Sequence, residues 1–192
     1  MSSMVSSVKL FDIEKPRFDD VGSCIALPGD PPDCTRVLAG TQRHRGVEAG
    51  GAWRQGGLEL RGGAQWLQAR LEDTPNPVLD GKRPINVPAL TLRLLARYAV
   101  EAVPGLAVYG GGSYESAREV LPDNSIEIPS VTRFDLGIDL RRRLAGAAWT
   151  LRAGVDNVFD RQAWRESPYQ FSHVYLFPQA PRTWRMSLQV DL

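Results

Sequence analysis

Residues 130–144 read SVTRFDLGIDLRRRL, and their order decides how the chain folds. Phe134, Leu136, Ile138 and Leu140 share one parity, while Arg133, Asp135, Asp139 and Arg141 share the other. Successive side chains of a strand point to opposite faces, whereas a period of 3.6 residues would mix the two sets. The stretch is therefore a strand with one apolar and one charged face. The alternation recurs in GLELRGGAQW (57–66), ALTLRLLARYAV (89–100) and TWRMSLQVDL (183–192). Eight strands follow from it, at 4–14, 38–54, 57–72, 86–102, 106–121, 130–144, 147–164 and 181–192. The first carries the weakest pattern, because Phe11 and Ile13 are out of phase with Val8 and Leu10.

The connections alternate as regularly as the side chains. Long loops at 15–37, 73–85, 122–129 and 165–180 are separated by turns at 55–56, 103–105 and 145–146. In an up-and-down meander this puts every tight turn at one end and every long loop at the other, the asymmetry of outer-membrane barrels. Several strands exceed ten residues, against about five or six in soluble sheets and ~9 to 11 for a tilted membrane-crossing strand. Aromatic residues gather near strand ends, namely Trp53, Trp66, Tyr98, Tyr109, Tyr114, Trp149, Trp164 and Trp184, where an interfacial girdle would place them.

Period two alone does not say which face is wet, since a soluble barrel or sandwich alternates too, with its apolar side inward. The distribution of charge favours the membrane. Arg, Asp and Glu repeat on one parity strand after strand, as a watery or plugged lumen allows. The other parity is uncharged across most of each span, where a midplane Arg or Lys would cost about 2–4 kcal/mol. The expected fold is all-β, a transmembrane antiparallel up-and-down β-barrel with about eight strands present.

Composition agrees with this and excludes other classes. Among 192 residues, 23 are Lys or Arg and 22 are Asp or Glu, so no bulk charge points to nucleic acid. No apolar run reaches the ~18 residues of a transmembrane helix, and MSSMVSSVKLFDIEKPR has no signal-peptide core, since Asp12 and Glu14 interrupt it. The cysteines, Cys24 and Cys34, have nine residues between them in a Pro/Gly-rich loop. That spacing fits no zinc or redox motif and is expected to form a loop disulfide in an oxidising compartment, with two unpaired thiols as the alternative. His44 and His173 lie on separate segments with no carboxylates at metal-binding spacing, so no metal site is expected. Gly110–Gly112 sit inside a strand with no helix following, so they form no phosphate loop. No nucleophile elbow is present, and no catalytic residue or enzymatic activity is expected.

Six segments in order, QRHRGVEAGGAW, GKRPINVPALTLRLLARY, VPGLAVYGGGSY, IPSVTRFDLGIDL, LRAGVDNVFDRQAW and PRTWRMSLQVDL, closely resemble the C-terminal end of TonB-dependent outer-membrane receptors, particularly ferric-siderophore receptors. The resemblance runs from about Leu10 to the end. It matches Asn157, Phe159, Asp160 and Trp164 to the family's Asn-x-Phe-Asp signature and following aromatic, which reads as barrel architecture. It implies that residues 1–192 are the C-terminal part of a barrel of about 22 strands, with plug and signal peptide absent from this stretch and no activity alone. It further implies a location in the Gram-negative outer membrane, and as partners the lipid bilayer, the missing plug and remaining strands, and the inner-membrane TonB motor acting through the plug. Ferric siderophore would be the transported ligand, with no covalently bound cofactor. Extracellular loops would help capture it, with Trp164, Tyr169, Phe171 and Tyr175 as candidate contacts because flat aromatics suit planar chelate rims. A self-contained eight-stranded barrel with an adhesin or structural role is the alternative.

Overall fold

The computed structural model describes residues 2–23, 28–29, 31–167, 169–170 and 173–192. Eight long strands form one sheet: β1 (Ser2–Val21), β2 (Thr35–Gln55), β3 (Leu58–Glu72), β4 (Leu90–Ala99), β5 (Leu106–Glu115), β8 (Val131–Leu144), β9 (Ala147–Asp156) and β14 (Thr183–Asp191). Between them lie three two-stranded ribbons, pairing β6 (Arg118–Glu119) with β7 (Glu127–Ile128), β10 (Trp164–Glu166) with β13 (Phe177–Pro178), and β11 (Tyr169–Gln170) with β12 (His173–Val174). The long strands pair in chain order, and every ladder is antiparallel. The long and short connections alternate as expected. At the last tight turn, Ala145 and Gly146 have φ of 51° and 86°, the left-handed pair that a two-residue hairpin turn needs to match strand twist.

Register carries the two faces of 130–144 across the whole sheet. Leu136 pairs with Val155 and Gly110, Val155 with Trp184, and Gly110 with Ala96, which pairs in turn with Leu60 and then Trp53. On the opposite face Asp139 pairs with Arg152, Arg54 with Glu59, and Lys9 with Glu48. The apolar side is left open: Leu136 is 54% exposed, while on the charged side exposure is uneven, 61% for the Arg61 side chain but 16% for Asp139 between its two arginines. The accessible surface of 12959 Å² exceeds the roughly 9,000 Å² of a compact monomer of this size, and the buried apolar residues among those described are mostly small or at strand ends, such as Ala39, Ala69, Ala107 and Ala147. A chain that leaves Leu94, Phe134, Leu136, Trp184, Met186 and Leu188 uncovered on one face is the wall of something, with oil as the solvent for that face.

The aromatic rows sit at two levels of this outward face. By register Trp66, Tyr114 and Trp184 mark the loop end, and Trp53, Tyr98 and Trp149 the turn end. From Leu58 to Trp66 on β3 is about 26 Å along the strand, or roughly 20 Å at a barrel tilt. Tyr109 is a correction to the expected girdle. It has the charged-face parity, pairing with Arg97 and Gly137, and its ring lies over Gly137, where any Cβ would collide with it.

Several strand limits also differ from the expectation, and β4 is confined to Leu90–Ala99 rather than 86–102. β1 is one of the longest strands, and the phase change at Phe11 is the point where it leaves the lipid. Beyond Leu10 the outward parity becomes Asp12 and Glu14, facing Arg45 and Arg43. Phe11 turns to the inner face instead and lies against Gly46, which has no Cβ to block it. β5 stops at Glu115, and the loop after it makes its own β6–β7 ribbon. β9 stops at Asp156, not at 164, because Asn157 adopts φ 52° and turns the chain. Asn157 is 2% exposed. Its side-chain amide donates to the carbonyls of Arg161 (3.1 Å) and Ala180 (3.0 Å), its Oδ1 accepts from Arg161 N (2.8 Å), and its own N–H donates to Asp135 Oδ1 (2.8 Å). Asparagine is among the few residues that tolerate the left-handed region and can satisfy backbone groups locally.

β1 and β14 share no ladder among the described residues. A closed eight-stranded barrel requires one, so the self-contained alternative is not the architecture of this chain.

Two outcomes test these assignments. Leu136→Arg or Ile138→Arg should cost about 2–4 kcal/mol of insertion free energy and sharply reduce the heat-modifiable form in outer membranes, while Asp139→Asn leaves it nearly unchanged. At the β9 terminus, Asn157→Ala should destabilise by about 1–3 kcal/mol through three lost hydrogen bonds. Asn157→Asp should be no milder, because its carboxylate would face two carbonyl oxygens; unfolding in urea with lipid present measures both.

Candidate functional site: the inner face and the loop mouth

The inner face is a lattice of opposite charges laid on the ladder. Glu59 bridges Arg54 (3.0 Å) and Arg61, Asp139 lies between Arg97 (3.7 Å) and Arg152 (3.9 Å), Arg133 meets Asp135 (3.1 Å), and Arg185 meets Asp156. Gln65 donates to Glu48 at 2.8 Å, which puts Glu48 on the inner face as its parity requires. Such pairs, half in water, each contribute little to stability. Their effect is to keep the inner face charged without leaving a field of one sign. The pairing is incomplete, however. Lys9, Arg93 and Arg141 have no carboxylate within ion-pair distance among the described residues. Lys9 and Arg93 flank a hollow floored by Gly50 and Gly63, and Arg141 lines another with Arg61 and Arg97.

At the loop end, three connections lock together. Asn124 holds the 73–89 loop from the next loop, accepting from Arg83 N (2.7 Å) and donating to Arg83 O (3.0 Å). Asn86 N donates to Glu119 O (2.9 Å), and Ser116 Oγ accepts from Ala89 and Leu90 N. The 157–182 connection joins through Ser167 N, which donates to Asn86 Oδ1 (3.3 Å). Leu71, Val120, Ile128 and Val131 are buried at this end, and Leu71 and Val131 have inner-face parity. Arg118, 6% exposed, pairs with Glu115 at 3.2 Å, and Ser167 is 0% exposed; Arg118 Nε and Ser167 Oγ have no hydrogen-bond partner among the described residues. Burial and the neighbouring Glu127 push the Glu119 carboxyl up, whereas hydrogen bonds from Ser125 hold Asp123 down. The mouth is thus a fixed structure with polar groups inside it.

Three of the aromatic candidates, Trp164, Tyr169 and Tyr175, lie on one long hairpin within that mouth. Trp164 pairs with Pro178 near its base, Tyr169 pairs with Val174 farther out, and exposed Tyr175 follows β12. Phe171 and Cys24 lie outside the described residues, and Cys34 directly precedes β2. No ring stacking joins Trp164, Tyr169 and Tyr175; the one ring pair among described residues is Phe134–Phe159, edge to face at 5.6 Å, on the outward side. Among the described residues no His, Cys, Asp and Glu cluster could hold a metal ion. The sequence reading missed Arg118, Ser167 and Asn86, whose contacts cross up to 81 positions.

Known proteins share this geometry. The family model of the TonB dependent receptor-like β-barrel matches residues 9–158. The ferrichrome receptor FcuA of Yersinia enterocolitica is 24% identical over 84% of this chain, which spans 21% of that receptor's length. The ferric preacinetobactin receptor BauA of Acinetobacter baumannii superimposes with a TM-score of 0.81 and 26% identity, over 98% of this chain and 27% of that one. The siderophore receptor PiuA of the same organism gives 0.72 and 16% identity, over 98% and 26%. Barrels of this kind are receptors rather than enzymes and reside in the outer membrane of Gram-negative bacteria, where the outward apolar belt places this wall. With the match covering most of its length and the wall, belt and loop asymmetry agreeing, this chain belongs to the TonB-dependent receptor-like β-barrel family.

Proposed function

We propose that this chain forms part of the wall and extracellular mouth of a receptor for energy-coupled uptake of a ferric siderophore. In this reading residues 1–192 are the C-terminal part of a barrel of about 22 strands, and the other strands continue from the open edges of β1 and β14. A plug fills the lumen and connects to the inner-membrane TonB motor. The observation that carries the reading is the inner face: Lys9, Arg93 and Arg141 line hollows that also hold Glu48 and Glu59, yet none of the three has a carboxylate within ion-pair distance among the described residues, as suits a surface built to meet another polar element. Similarity to a ferrichrome receptor and a ferric preacinetobactin receptor supports a ferric chelate as cargo.

Capture of the chelate is assigned to the loop mouth, with Tyr169 and Tyr175 toward the outer part of the 157–182 connection, Trp164 near its base, and Phe171 as a further candidate contact. Aromatic faces offer a chelate a large, rigid contact at small conformational cost. A Cys24–Cys34 disulfide belongs to the same proposal, closing the β1–β2 loop in an oxidising compartment; both thiols should alkylate only after reduction. In the intact receptor, Tyr175→Ala should weaken ferric-siderophore binding by about five-fold, the worth of one aromatic contact of ~1 kcal/mol. Fluorescence quenching titrations read this directly. Failure of the intact receptor to bind or support growth on any of a panel of ferric hydroxamates, catecholates and carboxylates would remove the reading.

A further inference from the structure

The β6–β7 ribbon at the loop end carries two like charges face to face. Glu119 lies directly opposite Glu127 in the register. Side chains of such a cross-strand pair stand about 4.5–5.5 Å apart at Cβ, a separation at which like charges are destabilising. The other pair of the ribbon, Arg118 and Ile128, is buried, so the ribbon cannot turn its carboxylates apart without exposing that face. Glu119 itself is half-buried and Glu127 is exposed.

The charged groups around this pair are mostly committed elsewhere. Arg118 is taken by Glu115 (3.2 Å), Asp123 at the tip of the ribbon accepts from Ser125 N (3.1 Å) and Oγ (2.7 Å), and Arg165 faces Glu166 in the 157–182 connection. Lys82 and Arg83, in the 73–89 loop, attract Glu119 through space without an ion pair. Burial, and after it the charge of Glu127, outweigh that attraction and push the Glu119 carboxyl up.

The backbone of the same ribbon fastens the loops to one another. Asn86 N donates to Glu119 O (2.9 Å), and Asn86 Oδ1 accepts from Ser167 N (3.3 Å). Arg83 is clamped to Asn124 at the ribbon's tip through its N–H (2.7 Å) and its carbonyl (3.0 Å). A shift of β6 therefore passes through Asn86 to the connection that carries Trp164, Tyr169 and Tyr175.

We propose that the Glu119–Glu127 pair is an acid-operated latch for the loop mouth. When Glu119 takes up a proton from water, its hydroxyl donates to the Glu127 carboxylate, β6 and β7 draw together, and the contacts through Asn86 to Ser167 tighten. When both carboxyls are ionised, their repulsion loosens the same contacts. A carboxyl raised in the folded state contributes stability that is full below the ordinary glutamate value and is lost as pH rises through the raised one, so acid closes the latch. Its consequence for chelate capture rests on the function proposed above; the latch itself does not.

Hydrogen exchange of the intact receptor in outer-membrane lipid, without chelate and corrected at each pH for the intrinsic exchange rate, measures the latch. Protection around Asn86 and Ser167 should rise about five-fold or more from about pH 8 to about pH 5, while protection of β3, β4 and β5 stays constant. Glu119→Gln, which holds the neutral form, should show the high protection at both pH values. Glu127→Gln, which removes the repulsion, should shrink the step, and Asp123→Asn should keep it. Wild-type protection that does not change with pH would overturn the proposal, as would a step shared equally by β3, β4 and β5 or a full step persisting in Glu119→Gln. If Glu119→Gln fails to reach the membrane, a full step in Glu127→Gln overturns it in the same way. Chelate binding plays no part in this readout, so loss of the latch and loss of the receptor reading are told apart.

Discussion

In hydrocarbon no water is available to a backbone N–H or C=O, so each must find its partner on the neighbouring strand or cost several kcal/mol. Seven antiparallel ladders meet that demand across the sheet. Once the ladders are fixed, side-chain direction is fixed too, and a one-residue slip would put Arg152 and Asp139 into lipid. The paired backbone is thus what makes the uncharged and charged faces possible. It also defines the edges: β1 and β14 carry outer backbone groups with no ladder partner among the described residues.

The two faces then follow different rules. Outside, cohesion with lipid replaces the hydrophobic core that a water-soluble chain of this length would build, and aromatic residues mark the two levels where lipid tails end. Inside, ion pairs along the ladder hold opposite charges close, and only a few cations lack a carboxylate within ion-pair distance among the described residues. At the loop end neither rule applies, and the chain reverts to soluble-protein devices: a small apolar cluster, an Asn that bridges two loops, and a left-handed Asn157 that ends a strand.

Much of this was legible in the order of residues because a strand's period is two. Phe134, Leu136 and Ile138 against Asp135 and Asp139 specify both the element and its faces, and Trp184 to Val190 repeat the message. The reading went astray where membrane and water meet. Phe11 looked out of phase because the polarity of the faces reverses above Leu10, and Tyr109 looked like a girdle residue although its ring lies inward over Gly137. The Asn157 turn was legible as a motif but not as a terminus, since its carbonyl partners Arg161 and Ala180 come from both sides of a long loop. Arg118 and Ser167 had no signal in the sequence, because their burial depends on loops that meet only in three dimensions. The ligand-contact aromatics were chosen by chemistry alone; the fold places Trp164, Tyr169 and Tyr175 on one hairpin without stacking them.

The central claim is that lipid touches the uncharged parity and water the charged one. Nitroxide labels at Phe134, Leu188 and Val190, compared with labels at Ser187 and Gln189 in outer-membrane lipid, measure it through relaxation by oxygen and by a water-soluble nickel chelate. The account predicts oxygen-dominated relaxation at the first three sites and nickel-dominated relaxation at the other two. Nickel-dominated relaxation at Phe134, Leu188 and Val190 would contradict it.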